Sequence, residues 1–228
     1  MENDKKEIKD YWELIEQCAE TPESIPKPGE WIAIDCGANV GEITESLLEH
    51  GGMVYAFEPN RVAYNILNER MSKNSHCICY NFAVSDKTEM TKLYLHKKLA
   101  GVEISCDETY TLHAKYSQGS SLKSDKRNVD KNNYQSVQAI RLCDFIKQVQ
   151  EAPEAPGILM LKIDVEGAEV DILRDLLDTG IANMIPFIFV ETHDQKVPSI
   201  AEGMAEIRNR IKDGQVHGLY KNIYLNWI

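Results

Sequence analysis

The stretch "WIAIDCGANVGEITESLLEHGG", Trp31 to Gly52, sets the strongest limit on what this chain can fold into. An apolar run ends in a lone acid, Asp35. Two glycines follow with Asn39 between them, and a helical pattern then runs from about Glu42 to the stop at Gly51-Gly52. That order reads as strand, tight turn, helix. Gly37 lets the chain turn with its backbone close to a ligand, and Gly41 lets the helix start against the turn. A dinucleotide-binding turn reads G-x-G-x-x-G, whereas Gly37-Ala38-Asn39-Val40-Gly41 lacks the middle glycine that a pyrophosphate requires for close approach. NAD and FAD are therefore disfavoured, and no Gly-Lys-Ser/Thr follows to make a phosphate-binding P-loop.

The second strand, "MVYAFE", ends in Glu58 followed by Pro59, about the separation at which Rossmann-like folds put an acid on the ribose hydroxyls. A carboxylate there accepts hydrogen bonds from both hydroxyls of an adenosine ribose. Together the turn and the acid point to a nucleoside cofactor without a pyrophosphate. S-adenosylmethionine fits, with its aminocarboxypropyl arm and sulfonium along the glycine turn and Asp35 near the cationic end. The plainer alternative is a structural glycine turn beside a solvated acid.

The rest of the chain repeats the same alternation. Residues 4 to 20 carry Ile8, Tyr11, Trp12, Ile15 and Cys18 on one helical face, and prolines at 22, 26 and 28 end that pattern, so residues 1–28 read as an N-terminal helical extension to a domain over 29–228. A helix follows Pro59, a third strand is expected over Cys77 to Val84, and "TKLYLH" from Thr91 reads as an added β segment. From Lys97 to Gln138 no apolar period is sustained, and this polar insertion, with Lys115, Lys123, Lys126, Arg127 and Lys131, reads as a substrate lid or as a solvated loop. Beyond it come "VQAIRLCDFIKQV", a strand from Ile158 to Asp164 with its helix, the strand "PFIFVETH", a helix from Ser199 with a capping box to Glu202, and a terminal pair of short strands. Repeated β-then-α units imply a largely parallel sheet covered on both faces, with ligands beyond the carboxyl ends of the strands.

Charge and composition narrow the class further. A formal net charge of −11 disfavours broad phosphate-driven binding to nucleic acid. No apolar run approaches the ~20 residues of a membrane helix. The charged start "MENDKKEIKDYW" lacks a secretory apolar stretch, so a cytoplasmic location is expected. The six cysteines are scattered without paired spacing and read as reduced structural thiols rather than zinc ligands.

Six segments in order, "IDCGANVGEIT", "VYAFEPN", "NFAVSD", "VQAIRLCDFI", "LMLKIDVEGAEVDIL" and "FVETH", resemble the FkbM family of S-adenosylmethionine-dependent methyltransferases over roughly residues 31 to 193. "KIDVEGAE" is the most specific of them. The resemblance implies an α/β fold of the Rossmann-like class I methyltransferase type: a mostly parallel seven-stranded sheet, helices on both faces and an antiparallel C-terminal hairpin. It implies methyl transfer to an oxygen, often a hydroxyl of a sugar or natural product. By matched position it assigns Asp35, Gly37, Asn39 and Gly41 to the methionine side of the cofactor, Glu58 to the ribose, and Ala83 and Asp86 to the neighbourhood of adenine. "GSSL" at Gly119 to Leu122 resembles a short Ser-Leu element of the family.

Methyl transfer is an in-line displacement that needs an aligned acceptor and a route for its proton. Lys162 and Asp164 share a face at the end of one strand, and Glu191 and His193 do so at the end of the next. Glu166 and Glu169 open the intervening helix, where acids also serve the helix dipole. Two mechanisms stay open. In one, His193 or Asp164 is the general base and Lys162 orients a carboxylate or steadies negative charge. In the other, Asp164, Glu191 and His193 bind a divalent cation. The spacing does not demand a metal, and the metal-free version is preferred. The rival readings are an NAD or nucleotide-sugar oxidoreductase on a related sheet and a non-catalytic cofactor-binding scaffold. The Asn/Asp-Pro-Pro-Tyr/Phe motif common in nitrogen methyltransferases of nucleic acid does not occur.

Overall fold

The computed structural model describes residues 12, 13, 15–17, 25–103 and 107–226. In chain order its strands and α-helices are β1 (Trp31–Cys36), α1 (Glu42–Glu49), β2 (Met53–Phe57), α2 (Arg61–Met71), β3 (Cys77–Tyr80), β4 (Ala83–Ser85), β5 (Glu89–His96), α3 (Asp107–Tyr116), β6 (Val129–Arg141), α4 (Leu142–Glu151), β7 (Gly157–Ile163), α5 (Glu169–Asp178), β8 (Phe187–Val190), α6 (Ala201–Val216) and β9 (Ile223–Leu225). The N-terminal helix expected over 4–20 lies largely outside the described residues; residues 12, 13 and 15–17 are helical, and Trp12 packs on Trp31 and His50 at ring distances of 5.5 and 4.6 Å.

Six strands form the main sheet in the order β3-β2-β1-β7-β8-β9, and every pairing in it is parallel. The chain builds outward from β1 to β3, returns to lay β7 on the other side of β1, and builds outward again. Between β1 and β7 the winding reverses, which opens a crevice at the carboxyl ends of those strands. Alternation along β1 serves both faces: Ile32, Ile34 and Cys36 enter one core with α4, α5 and α6, while Trp31 and Ala33 enter the other with α1 and α2. Asp35 falls by the same alternation on the second face, where it is fully buried.

Four expectations from the sequence are corrected. The main sheet has six strands among the described residues rather than seven, and the C-terminal hairpin is replaced by one strand, β9, parallel to β8. The first half of the supposed hairpin is the last residue of α6 and the turn that follows it, where Tyr220 folds back on Gly214 so closely that an added Cβ would meet its ring at 2.2 Å. The single strand expected over Cys77 to Val84 is two: Asn81 turns the chain between β3 and β4 and donates to the carbonyls of Glu58 (2.8 Å) and Pro59 (3.2 Å). No capping box opens α6, because Ser199 instead gives its N–H and hydroxyl to the Asp125 carboxylate at 2.7 and 2.8 Å.

The polar insertion is folded. β5 and the long β6 pair antiparallel, β4 joins β6 in parallel, and the three make a separate sheet with α3 packed nearby. One face of β6 is exposed, so polar residues dilute its alternation; Tyr134 on that face stacks under the Lys92 ammonium at 4.0 Å. Among the described residues Cys36, Cys77, Cys79 and Cys143 are free thiols, and Cys18 and Cys106 lie outside them. No described helix is long and apolar enough to cross a membrane.

Candidate active site

The turn after β1 is fixed by backbone geometry. Gly37 has φ +84°, and a Cβ there would sit 1.8 Å from the Asp164 carbonyl oxygen, so only glycine lets the turn lie against the end of β7. Gly37 and Ala38 both donate their N–H to the Phe57 carbonyl at 2.9 Å, which ties the turn to β2. Asn39 occupies the place of the missing middle glycine in the left-handed region, φ 48°, a conformation that asparagine tolerates. Its side-chain oxygen accepts from the Ser117 hydroxyl at 2.9 Å. Gly41, φ +89°, starts α1, and its missing Cβ makes room for Leu67 of α2.

Beneath the turn lies an ion pair made by sheet register. Asp35 and Lys162 are direct partners on β1 and β7. Lys162 Nζ donates to Asp35 Oδ1 and to the Gly37 carbonyl, each at 3.1 Å, and sits 3.6 Å from Asp164 Oδ2, while Thr44 gives its hydroxyl to Asp35 Oδ2 at 2.7 Å. Burial opposes the charge on Lys162, but Asp35 and Asp164 hold its pKa above the ordinary lysine value. The ammonium thus cross-links strand, turn and cavity wall.

Glu58, just past β2, accepts from Asn39 N–H at Oε2 (2.9 Å) and from Asn60 N–H at Oε1 (2.7 Å). Each oxygen keeps acceptor capacity beyond that bond, and the residue lines the cavity. Among the described residues the carboxylate has no ion-pair partner, and burial pushes its pKa up to about 7 against the two amide bonds.

Carboxylates gather at the other end. Asp164 follows β7, and Glu191 and His193 follow β8. His193 is 1% exposed; its Nδ1 meets Glu169 Oε1 at 2.8 Å, and since a carboxylate only accepts, that nitrogen carries the hydrogen. Its Nε2 lies 3.1 Å from Glu166 Oε2, 3.3 Å from Glu191 Oε1 and 3.8 Å from Asp164 Oδ1, yet makes no aligned hydrogen bond. Burial opposes a charge on the ring, but Glu169, Glu191 and Glu166 outweigh it and push the pKa up to about 10. Asp164 is pushed up to about 6, chiefly by desolvation, although its side chain remains 27% exposed toward the cavity.

The two ends meet in one cavity of about 310 Å³. Of the site residues expected from the sequence, Gly37, Asn39, Glu58, Ala83, Lys162, Asp164 and Glu191 line it. The others stand behind: Asp35 is sealed under the turn rather than beside a cationic ligand, Gly41 packs against α2, and His193 supports the wall from behind. Asp86 is away from the lining, accepting from Ser85 Oγ at 3.0 Å. Sequence reasoning missed Ser117, which reaches the turn from the insertion, and Lys126, which looked like a solvated lysine but is 2% exposed and binds Glu166 at 2.5 Å and the Gly119 carbonyl at 3.0 Å. For Glu169 the sequence leaves a helix-terminal acid and a functional one equally open. The left-handed Glu166 (φ 58°) and Gly167 (φ 128°) fold the loop so that Glu169 comes under His193.

A six-stranded parallel sheet among the described residues, with a cavity at its winding reversal, defines a Rossmann-like α/β protein. A family model described as the methyltransferase FkbM domain matches residues 35–216, and the chain belongs to that family. It is also similar to "Methyltransferase 1" of Beauveria bassiana (strain ARSEF 2860), 25% identical over 193 residues that cover 80% of this chain and 72% of the fungal protein. No solved structure matches it.

Proposed function

We propose that the protein is an S-adenosylmethionine-dependent O-methyltransferase acting on a hydroxyl of a sugar or glycoconjugate. The observation that carries this reading is Glu58: a buried carboxylate with no cation partner among the described residues, with acceptor capacity left over, lining a cavity whose other wall is a turn that lacks the middle glycine of a pyrophosphate-binding loop. Such an acceptor pair suits the vicinal hydroxyls of a ribose. Phe82, Ala83, Val84 and Leu122 form an apolar slot beside it that suits an adenine ring. Bound S-adenosylmethionine supplies a methyl group on a sulfonium, which passes in line to the acceptor oxygen as the sulfur–carbon bond breaks.

The chain's own residues do the rest. Asp164 faces the cavity with a carboxylate more basic than usual, so it takes the acceptor's proton while still ionised at neutral pH. Lys162 holds the other Asp164 oxygen in place. His193, held as an imidazolium by the surrounding acids, is unsuited to act as the base and orients them instead. On the cavity lining Ser117, Gln118, Ser120 and Glu191 offer hydroxyl, amide and carboxylate groups that suit a polyhydroxylated acceptor. The insertion carries the first three and serves as a wall over the acceptor. Calorimetric titration with S-adenosylhomocysteine and, separately, with NAD tests the cofactor, and labelled S-adenosylmethionine against sugars, glycolipids and small phenols tests the acceptor. Binding of NAD alone would overturn the reading, and label appearing only on phenols would move the acceptor to a small natural product.

A further inference from the structure

We infer that Asp164, Glu191 and His193 form a binding site for one divalent transition-metal cation of the Mn2+ type, with Glu169 fixing the orientation of His193. The use of this cation in catalysis rests on the methyl-transfer reading; its binding does not.

One oxygen from each acid and the imidazole nitrogen lie within 4.8 Å of one another. Ligands on opposite sides of such an ion are separated by about 4 Å, so the three atoms already span one coordination sphere. The decisive feature is His193 Nε2. It is buried, it has no aligned hydrogen-bond partner, and yet it points into carboxylate oxygens at 3.1, 3.3 and 3.8 Å. A ring held there only by its charge would be expected to align Nε2–H with one of those oxygens. The opposite nitrogen, Nδ1, gives its hydrogen to Glu169, the arrangement in which an ion that displaces the proton on Nε2 finds a lone pair already aimed at it. Glu169 Oε1 is itself steadied by the Gly167 N–H at 3.0 Å.

Charge agrees. Asp35, Asp164, Glu166, Glu169 and Glu191 face Lys162, Lys126 and Lys196, and once an ion displaces the proton on His193 Nε2 two negative charges are in excess. A dication balances them. Lys162 and Lys126 occupy Asp164 Oδ2 and Glu166 Oε2, which leaves Asp164 Oδ1 and Glu191 Oε1 toward the imidazole. Two carboxylates and one imidazole suit a transition ion better than Ca2+ or Mg2+, whose ligands are oxygens. Three protein ligands leave positions open toward the cavity, where an acceptor hydroxyl bound to the ion would lose its proton more readily to a carboxylate of the same cluster.

The test uses the full chain, stripped with a chelator and titrated with Mn2+ while the electron paramagnetic resonance signal of the free ion is followed. We expect saturable binding of one ion per chain, with spin-echo modulation from a coordinated imidazole nitrogen. Glu191→Gln and Asp164→Asn should each weaken binding at least tenfold, and Glu169→Gln about 10- to 100-fold although it touches no metal. Wild-type protein that shows no saturable binding up to about 1 mM, a weak-binding limit, overturns the inference. So does bound Mn2+ without nitrogen modulation, which needs no variant to fold. Because the methyl donor is absent throughout, Mn2+ bound by a protein that ignores S-adenosylhomocysteine would sink the methyl-transfer reading and leave the site, and the reverse would sink the site alone.

Discussion

Glu58 links proton binding to cofactor binding in a way that calorimetry can read. Burial moves its pKa from 4.5 to about 7 in the folded protein. Between those values the folded state holds a proton that the unfolded state has lost, so stability falls as pH rises through the window. The loss is about 3 kcal/mol. A bound ribose reverses the balance, because its two hydroxyls donate to the ionised carboxylate and favour the charged form. Binding then requires deprotonation, and the apparent Kd scales inversely with the deprotonated fraction. With a pKa near 7, affinity for S-adenosylhomocysteine should weaken about tenfold from pH 8 to pH 6 and stay flat above pH 8. About half a proton should be released per binding event at pH 7, seen as a dependence of the heat on the buffer's ionisation enthalpy. Glu58→Gln should abolish this slope and weaken binding at pH 8 by tenfold or more, since hydrogen bonds to a charged acceptor contribute about 1.5–3 kcal/mol each. Asp164 also titrates near 6, so the slope that belongs to Glu58 is the part missing in the variant. A wild-type Kd constant from pH 6 to 8, or an equal slope in Glu58→Gln, refutes the argument.

Lys162→Met should cost about 3–5 kcal/mol in urea denaturation, because it leaves the buried Asp35 without its cation; adding Asp35→Asn should recover a large part of the loss. Gly37→Ala should destabilise by at least about 2 kcal/mol and remove cofactor binding, since its Cβ would collide with the Asp164 carbonyl at 1.8 Å and the φ of +84° is itself unfavourable; a thermal melt and a titration read both effects. Ser117→Ala removes the hydroxyl that holds Asn39 and should weaken S-adenosylhomocysteine binding about three- to tenfold, with a melting temperature close to wild type.

The glycine-turn half of the cavity was legible because it is local. Gly37, Asn39 and Glu58 act where the chain itself turns, and the types of residue required there follow from backbone geometry and hydrogen bonding within one βαβ unit. Asp35 was expected near a cationic ligand, and the cation beside it in the structure is the Lys162 ammonium. Its alternation put it on a buried face, but only the register of β1 against β7, distant in sequence, shows that Lys162 lies opposite. The acidic half depends still more on tertiary placement. Asp164, Glu191 and His193 could be located at strand ends, whereas the aim of Nε2 and the support from Glu169 depend on the left-handed backbone at Glu166 and Gly167, which the spacing of acids does not encode. Lys126 was unreadable for a simpler reason. In a polar run one lysine resembles another, and only the fold shows which one is buried against an acid.

The insertion is the least periodic part of the sequence and the most connected part of the site. Ser117 bonds to Asn39 in the glycine turn, Ser121 gives its hydroxyl to the Glu166 carbonyl, Lys126 pairs with the Glu166 carboxylate, and Asp125 receives both donors of Ser199 before α6. These contacts reach three separate loops at the strand ends. A free lid would allow acceptor binding to change without the cofactor; removing residues 117–133 from this structure would strip the turn, the acid cluster and the α6 entry together. Under the proposed function, acceptor and cofactor binding are expected to be coupled through the same polar bonds. Ser117→Ala should raise the KM for the acceptor as well as the Kd for the cofactor, and an effect on the acceptor alone would mean that the insertion moves independently of the turn.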